Sequence, residues 1–128
     1  MSVIGKESAS FTVPGRAIPA VRMTQRSKFT PRAQRYLAYK NKVGWVARQH
    51  MQGKPTKEPV CVEIKVYLHR GVQGDVDNYF KSIADSLNKV VYQDDRQIRK
   101  IKASKIECES EEEERVEVRV YEIEEQIA

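Results

Sequence analysis

Between Asp75 and Asp95 five aspartates, Asp75, Asp77, Asp85, Asp94 and Asp95, gather around Lys81 in a chain whose formal net charge is +5. Carboxylates brought together without a counter-ion repel and raise one another's pKa, so a basic protein that concentrates them in one segment is expected to hold a cation there. Hard oxygen donors with no C-x-x-C and no paired histidine suit Mg²⁺, or Mn²⁺, rather than zinc. A metal held by carboxylates can bind a phosphate and activate water, and a nearby lysine can neutralise charge that builds up in the transition state. Lys81, one helical turn after Asp77, is placed for that role. Blander readings stand beside these. Asp77 could be a helix N-cap, and Lys81 could simply pair with Asp77 or Asp85 at i,i+4, worth only ~0.3–0.5 kcal/mol. Capping, however, explains neither the second carboxylate at Asp75 nor the Asp94-Asp95 pair. A calcium loop is excluded, because counting from Asp75 the sixth position is Phe80 and the twelfth Ser86, where glycine and glutamate are required.

The elements that must position these groups are legible from periodicity. From Val76 the apolar residues Tyr79, Phe80, Ile83, Ala84 and Leu87 mark an amphipathic helix, and Asn78, Lys81 and Asp85 form a polar stripe along one side of it. Asp75 and Asp77 sit at its entrance, where the helix dipole favours negative charge. Upstream, Val60, Val62, Ile64, Val66 and Leu68 alternate with Cys61, Glu63, Lys65 and Tyr67 as a strand does, and Gly71-Val-Gln-Gly74 forms the turn between the two. An earlier helix is expected over Pro31–Met51, opened by Thr30-Pro31 and ended by Gly53-Lys-Pro55. Ser10–Pro14 reads as a short strand, and Arg16–Thr30 as a basic loop. Ile98–Cys108 and Arg115–Ile123 look like two strands of one hairpin, with the acid-rich Glu109–Glu114 as its solvated loop. The expected architecture is a single α+β domain over residues 1–128, a small mixed sheet of about four strands packed with two helices.

Charge is distributed steeply. Residues 1–60 carry 12 Lys+Arg against 2 acids, residues 61–106 carry 9 against 6, and residues 107–128 carry 2 against 10. The first half is therefore the part suited to a phosphate backbone, and the acidic end is expected to face away from it. Trp45 lies off the main apolar stripe of the first helix; core packing, stacking on a splayed base and a dimer interface are all open to it. His50 and His69 show no triad spacing and read as structural. Cys61 and Cys108 are far apart and read as free structural thiols. No apolar run approaches the ~20 residues of a membrane span, and the first residues do not resemble a secretory signal, so a cytoplasmic location is expected.

The run Asp75-x-Asp77-Asn78-x-x-Lys81-x-x-x-Asp85-x-Leu87, then Val91-x-x-Asp94-Asp95-x-Gln97-Ile98, and finally Lys102 and Lys105, resembles the RusA-type Holliday-junction resolvases, small endodeoxyribonucleases common in prophages. The resemblance is specific over roughly residues 70–105. It implies a homodimer that binds a four-way DNA junction and, with Mg²⁺, cuts two strands of like polarity symmetrically in recombination and repair. It places the family's essential acids on Asp75, Asp77 and Asp95 and its essential lysine on Lys81, with Asp94 as a supporting acid at the metal and Asp85 as a helix-face residue. The segment Pro14-Gly-Arg16-x-x-Pro19-x-x-Arg22 is similar to the N-terminal loop of some members and makes Arg16, Arg22, Arg26 and Lys28 candidates for DNA contact, together with Lys102, Lys105 and Arg70, the base nearest before Asp75. Two rival readings are a non-catalytic junction-binding protein of the same fold and a metal-dependent nucleotide or sugar-phosphate enzyme; the second lacks any glycine-rich phosphate loop.

Overall fold

A computed structural model describes residues 2–51, 53–71 and 74–125. Four strands and two helices follow one another as β1 (Ser2–Pro14), α1 (Pro31–His50), β2 (Val60–Leu68), α2 (Val76–Leu87), β3 (Ile98–Glu107) and β4 (Arg115–Glu125). The strands form one mixed sheet in the order β1-β4-β2-β3, and the α+β architecture expected from the sequence is what the chain adopts. β4 runs antiparallel to both β1 and β2, while β3 joins β2 in parallel through the α2 crossover.

The two-residue period of β2 decides where the core lies. Val60, Val62, Ile64, Val66 and Leu68 are all fully buried, and Val116, Val118 and Val120 of β4 with Ala9, Phe11 and Val13 of β1 share their face. Tyr39, Val43, Val46 and Ala47 from α1 and Tyr79, Ile83 and Leu87 from α2 close over it. α1 begins as its sequence indicates: the Thr30 hydroxyl accepts from the Ala33 amide at 3.2 Å, and Pro31 takes a first-turn position where no amide hydrogen is needed. The helix ends at His50, whose ring stacks on Phe11 with centroids 5.9 Å apart. On the opposite, open face of the sheet Cys61, Tyr121 and Ile123 form a small satellite cluster.

Three expectations are corrected. β3 and β4 are not a hairpin: β2 lies between them, pairing with β3 on one side and β4 on the other. Alternation identifies a strand without identifying its neighbour, and β2, apolar enough to be buried, takes a central position that the charged β3 could not. β1 begins at Ser2 rather than Ser10; its first half is held by ladder bonds to β4 through register shifts between Ile4 and Ala9, which no apolar alternation announces. Trp45 is 62% exposed, so packing in the core is not its role. No helix among the described residues is long and apolar enough to cross a membrane.

Candidate nuclease site

After β2 ends at Leu68, Arg70 (φ 62°) and Gly71 (φ 67°) both adopt left-handed backbone; the middle of the turn expected over Gly71–Gly74, residues 72 and 73, lies outside the described residues. Asp75 is the N-cap of α2, and its carbonyl accepts from the Asn78 amide at 3.1 Å and the Tyr79 amide at 3.4 Å. Its side chain makes no capping bond and is exposed. Asp77 is also exposed, one residue inside the first turn, so it is not the N-cap that a local reading allowed. Two carboxylates thus stand free of capping duty at the positive end of the α2 dipole. Just before them Gly74 lies against Tyr79: a Cβ at Gly74 would meet Tyr79 Cε2 at 2.9 Å. The Gly74 carbonyl accepts a hydrogen bond from the Lys105 ammonium, reaching up from β3.

Further along α2 the polar stripe is as its spacing requires. Asn78, Lys81 and Asp85 line an open cleft of about 600 Å³ with Tyr36 and Lys40 of α1 and Ala20, Val21, Arg22 and Met23 of the N-terminal loop. That loop is fixed across α2 by the Ala20 amide, which donates to the Asn78 carbonyl at 2.9 Å. Arg22 also lines the adjoining cleft, with Arg32 and Asn78, so the basic loop and the start of α1 border α2 at Asn78 and Lys81, and Asp85 is the one aspartate that lines either cleft.

The second acidic pair is built differently. Asp94 caps a 3-10 turn over Asp95–Gln97: its carboxylate accepts from the Arg96 amide at 2.9 Å and from the Arg96 guanidinium at 3.3 Å. The amide bond first, and the guanidinium next, hold the Asp94 carboxyl down at about 2. Gln97 completes the capping box by accepting from the Asp94 amide, and its side-chain NH₂ donates to the carbonyls of Thr56 and Glu58, tying the turn to the segment before β2. Asp95 heads the turn with an exposed side chain. Beneath it the buried Tyr92 hydroxyl donates to the Ala84 carbonyl at 2.6 Å; burial raises its pKa, and the nearby Asp85 and Asp95 carboxylates raise it further. Tyr92 therefore links the Asp95 turn to the second half of α2.

Among the described residues no three Asp, Glu, His or Cys side chains converge closely enough to hold one ion. Asp75 and Asp77 share one helix entrance, while Asp94 and Asp95 stand on a separate turn. The donor chemistry still fits Mg²⁺, which binds through one or two carboxylates and keeps waters and substrate phosphate as its remaining ligands. Asp75 and Asp77 satisfy that pattern. Asp94 differs, because its oxygens already serve the cap.

The basic candidates separate in the same way. Arg22 and Arg26 are exposed, and Lys28 lies 5.0 Å over the Phe29 ring, itself 74% exposed. Arg70 is exposed in the turn before Asp75. Lys105 pairs in register with Val66 and so points to the helix side of the sheet, towards Gly74. Lys102 pairs with Glu63 and points to the open face, where it stands 5.9 Å over the Tyr121 ring. Lys102 and Lys105 therefore lie on opposite sides of the sheet. Arg16, its side chain 41% exposed, donates to the carbonyls of His69, Arg70 and Gly71 and to the Glu114 carboxylate. Glu114 is 7% exposed, and a solvated acid run gave no signal that its last member is buried.

Residues 13–121 match the family model described as "Endodeoxyribonuclease RusA". The chain is also similar to "Uncharacterized protein YqaN" of Bacillus subtilis (strain 168), with 33% identity over 106 residues that span 66% of this chain and 72% of that one.

Proposed function

Because the chain belongs to the RusA endodeoxyribonuclease family, we propose that it is a Mg²⁺-dependent, structure-selective endonuclease that resolves four-way DNA junctions by paired symmetric nicks, in recombination and repair of the prophage type. The observation that carries this reading is the pair Asp75 and Asp77, exposed at the α2 N-terminus without capping duty and one turn from Lys81. Asp75 and Asp77 would hold the ion, with Asp95 from the separate turn as a further ligand that helps to position the attacking water. A divalent ion bound there supplies Lewis-acid polarisation of the phosphodiester and a more acidic water.

The remaining work falls to the chain's own groups. Lys81 places an ammonium on the same helical face as Asn78 and Asp85, where it neutralises charge on the non-bridging oxygens as the phosphorus centre becomes crowded. Arg22, Arg32 and Lys40 border the two adjoining clefts and, with the exposed Arg26, would fix the backbone of the strand to be cut, without reading its sequence. α1 supports this polarity. It carries Arg32, Arg35, Lys40, Lys42 and Arg48 and no acidic residue, and its outer face presents Trp45 as a platform for an unpaired base. One chain offers one such helix entrance, so cutting two strands symmetrically calls for a two-fold homodimer.

The separation of the two acidic pairs favours one rival, a protein that binds junctions without cutting. The test is cleavage of a labelled synthetic four-way junction beside linear duplex of the same sequence, with Mg²⁺ and with chelator, at fixed salt. Paired nicks in the junction alone, abolished by chelator, are expected. Tight binding without nicks at any Mg²⁺ or Mn²⁺ concentration would establish the rival instead.

A further inference from the structure

The backbone that leaves β2, from His69 to Gly71, is held from a distance. Three successive carbonyls at the exit of β2, those of His69, Arg70 and Gly71, accept from the Arg16 guanidinium at 3.1, 3.1 and 3.2 Å. The guanidinium is itself fixed by Glu114, whose Oε2 accepts from Arg16 Nη1 and, at 2.9 Å, from the His69 amide. The Gly15 amide donates to the Glu114 carbonyl at 3.0 Å, which seats the residue before Arg16 against the same point. Three chain segments, the N-terminal loop, the β2 exit and the β4 entrance, are thus joined at one buried carboxylate. Being 7% exposed, Glu114 depends on these donors in place of water. The segment they hold includes Arg70, whose left-handed backbone (φ 62°) costs a non-glycine residue energy unless the surroundings fix it.

We propose that Arg16 and Glu114 are positioning residues: their ion pair fixes the β2 exit and thereby sets where Asp75, Asp77 and Lys81 are presented to a scissile phosphate. The catalytic consequence rests on the nuclease reading above; the mechanical one does not. The planar fork of arginine is what allows one side chain to serve three carbonyls and a carboxylate together. Arg16 accordingly acts on the protein's own backbone and not on DNA.

The full-length chain, with Arg16→Ala, Glu114→Gln and the double variant, gives the test by three measurements. Exchange of the Asn78 amide, which is bonded to the Asp75 carbonyl, is expected to quicken at least tenfold in each single variant, with exchange at Ile64 in β2 unchanged. Single-turnover cleavage of the junction is expected to fall at least tenfold, while the junction Kd and its salt dependence stay within about twofold of wild type. The double variant should be no worse than the worse single one, because both substitutions release the same tether. If Arg16→Ala does not fold, the isosteric Glu114→Gln carries the test alone. A salt slope smaller by about one in Arg16→Ala, with cleavage lost through weaker binding, would return Arg16 to the DNA interface and overturn the proposal. So would additive losses, or exchange that quickens equally in β2 with cleavage per folded molecule unchanged, the mark of a purely global stabilising role. If the wild-type chain does not cut junctions, the nuclease reading fails and the exchange measurement alone decides the tether: unchanged exchange at Asn78 refutes it.

Discussion

Gly74→Ala tests how closely the α2 entrance is specified. A Cβ at residue 74 would stand 2.9 Å from Tyr79 Cε2, 3.1 Å from its hydroxyl oxygen and 3.3 Å from Cζ. Carbon atoms rest comfortably at ~3.5–4.0 Å, so ring and backbone must part by roughly half an ångström or more. The ring cannot swing into solvent, because Tyr79 is 4% exposed and belongs to the main core. The shift must therefore fall on the core or on the Gly74-Asp75 backbone. Overpacking of this kind costs about 1–3 kcal/mol. At about 4 °C per kcal/mol for a domain of this size, the melting temperature should drop by roughly 4–12 °C. Displacement of a catalytic group by ~1 Å can cost ~10²-fold, so half that movement at Asp75 should lower single-turnover cleavage by about tenfold or more. Calorimetry and junction cleavage on the same preparations measure the two effects. Adding Tyr79→Leu removes the ring and should recover part of the cleavage while leaving stability low. A Gly74→Ala protein that melts and cuts like wild type would refute the reasoning, since the Gly74–Tyr79 contact would then not govern where Asp75 stands.

Other substitutions address the remaining groups. Asp77→Asn should lower cleavage by about 10²-fold or more, the several kcal/mol expected of a lost metal ligand, while junction binding by gel shift persists; cleavage at the normal rate would remove Asp77 from the metal site. The Asp94 carboxyl is held below its usual 3.8, at about 2, so the turn it caps gains from the charged form above pH ~4 and loses that gain as pH falls towards 2. Titration of the Asp94 carboxyl carbon by NMR should show a midpoint near 2, and an ordinary midpoint would contradict the capping geometry. Trp45 is the chain's single tryptophan, so its fluorescence reports on the outer face of α1 alone. Quenching on addition of junction or single-stranded DNA is expected, with Trp45→Ala weakening binding by about 1–3 kcal/mol and leaving thermal stability unchanged; emission unaltered at saturation would place the DNA elsewhere.

What the sequence determined by itself is what depends on neighbours a few residues away. The alternation of Val60 to Leu68, the Thr30-Pro31 helix start, the apolar stripe of Tyr79, Ile83 and Leu87 and the placing of Asp75 and Asp77 at a helix entrance all follow from two- and four-residue spacing. Asp75, Asp77, Asp85 and Lys81 carried much of the family resemblance for the same reason, since their relation is written within one helix and its N-cap. Tertiary structure decided the rest. It set β2 between β3 and β4, turned Lys102 and Lys105 to opposite sides of the sheet, left Trp45 in solvent and bonded Arg16 to the β2 exit and to Glu114. Glu114 shows why such features escape a local reading: in an acid-rich run it looks like its solvated neighbours, yet its partner Arg16 lies 98 positions away in the chain. Which charges are buried, and whom they meet, is fixed only when distant segments are packed together, because the free energy of a charge depends on what replaces its water.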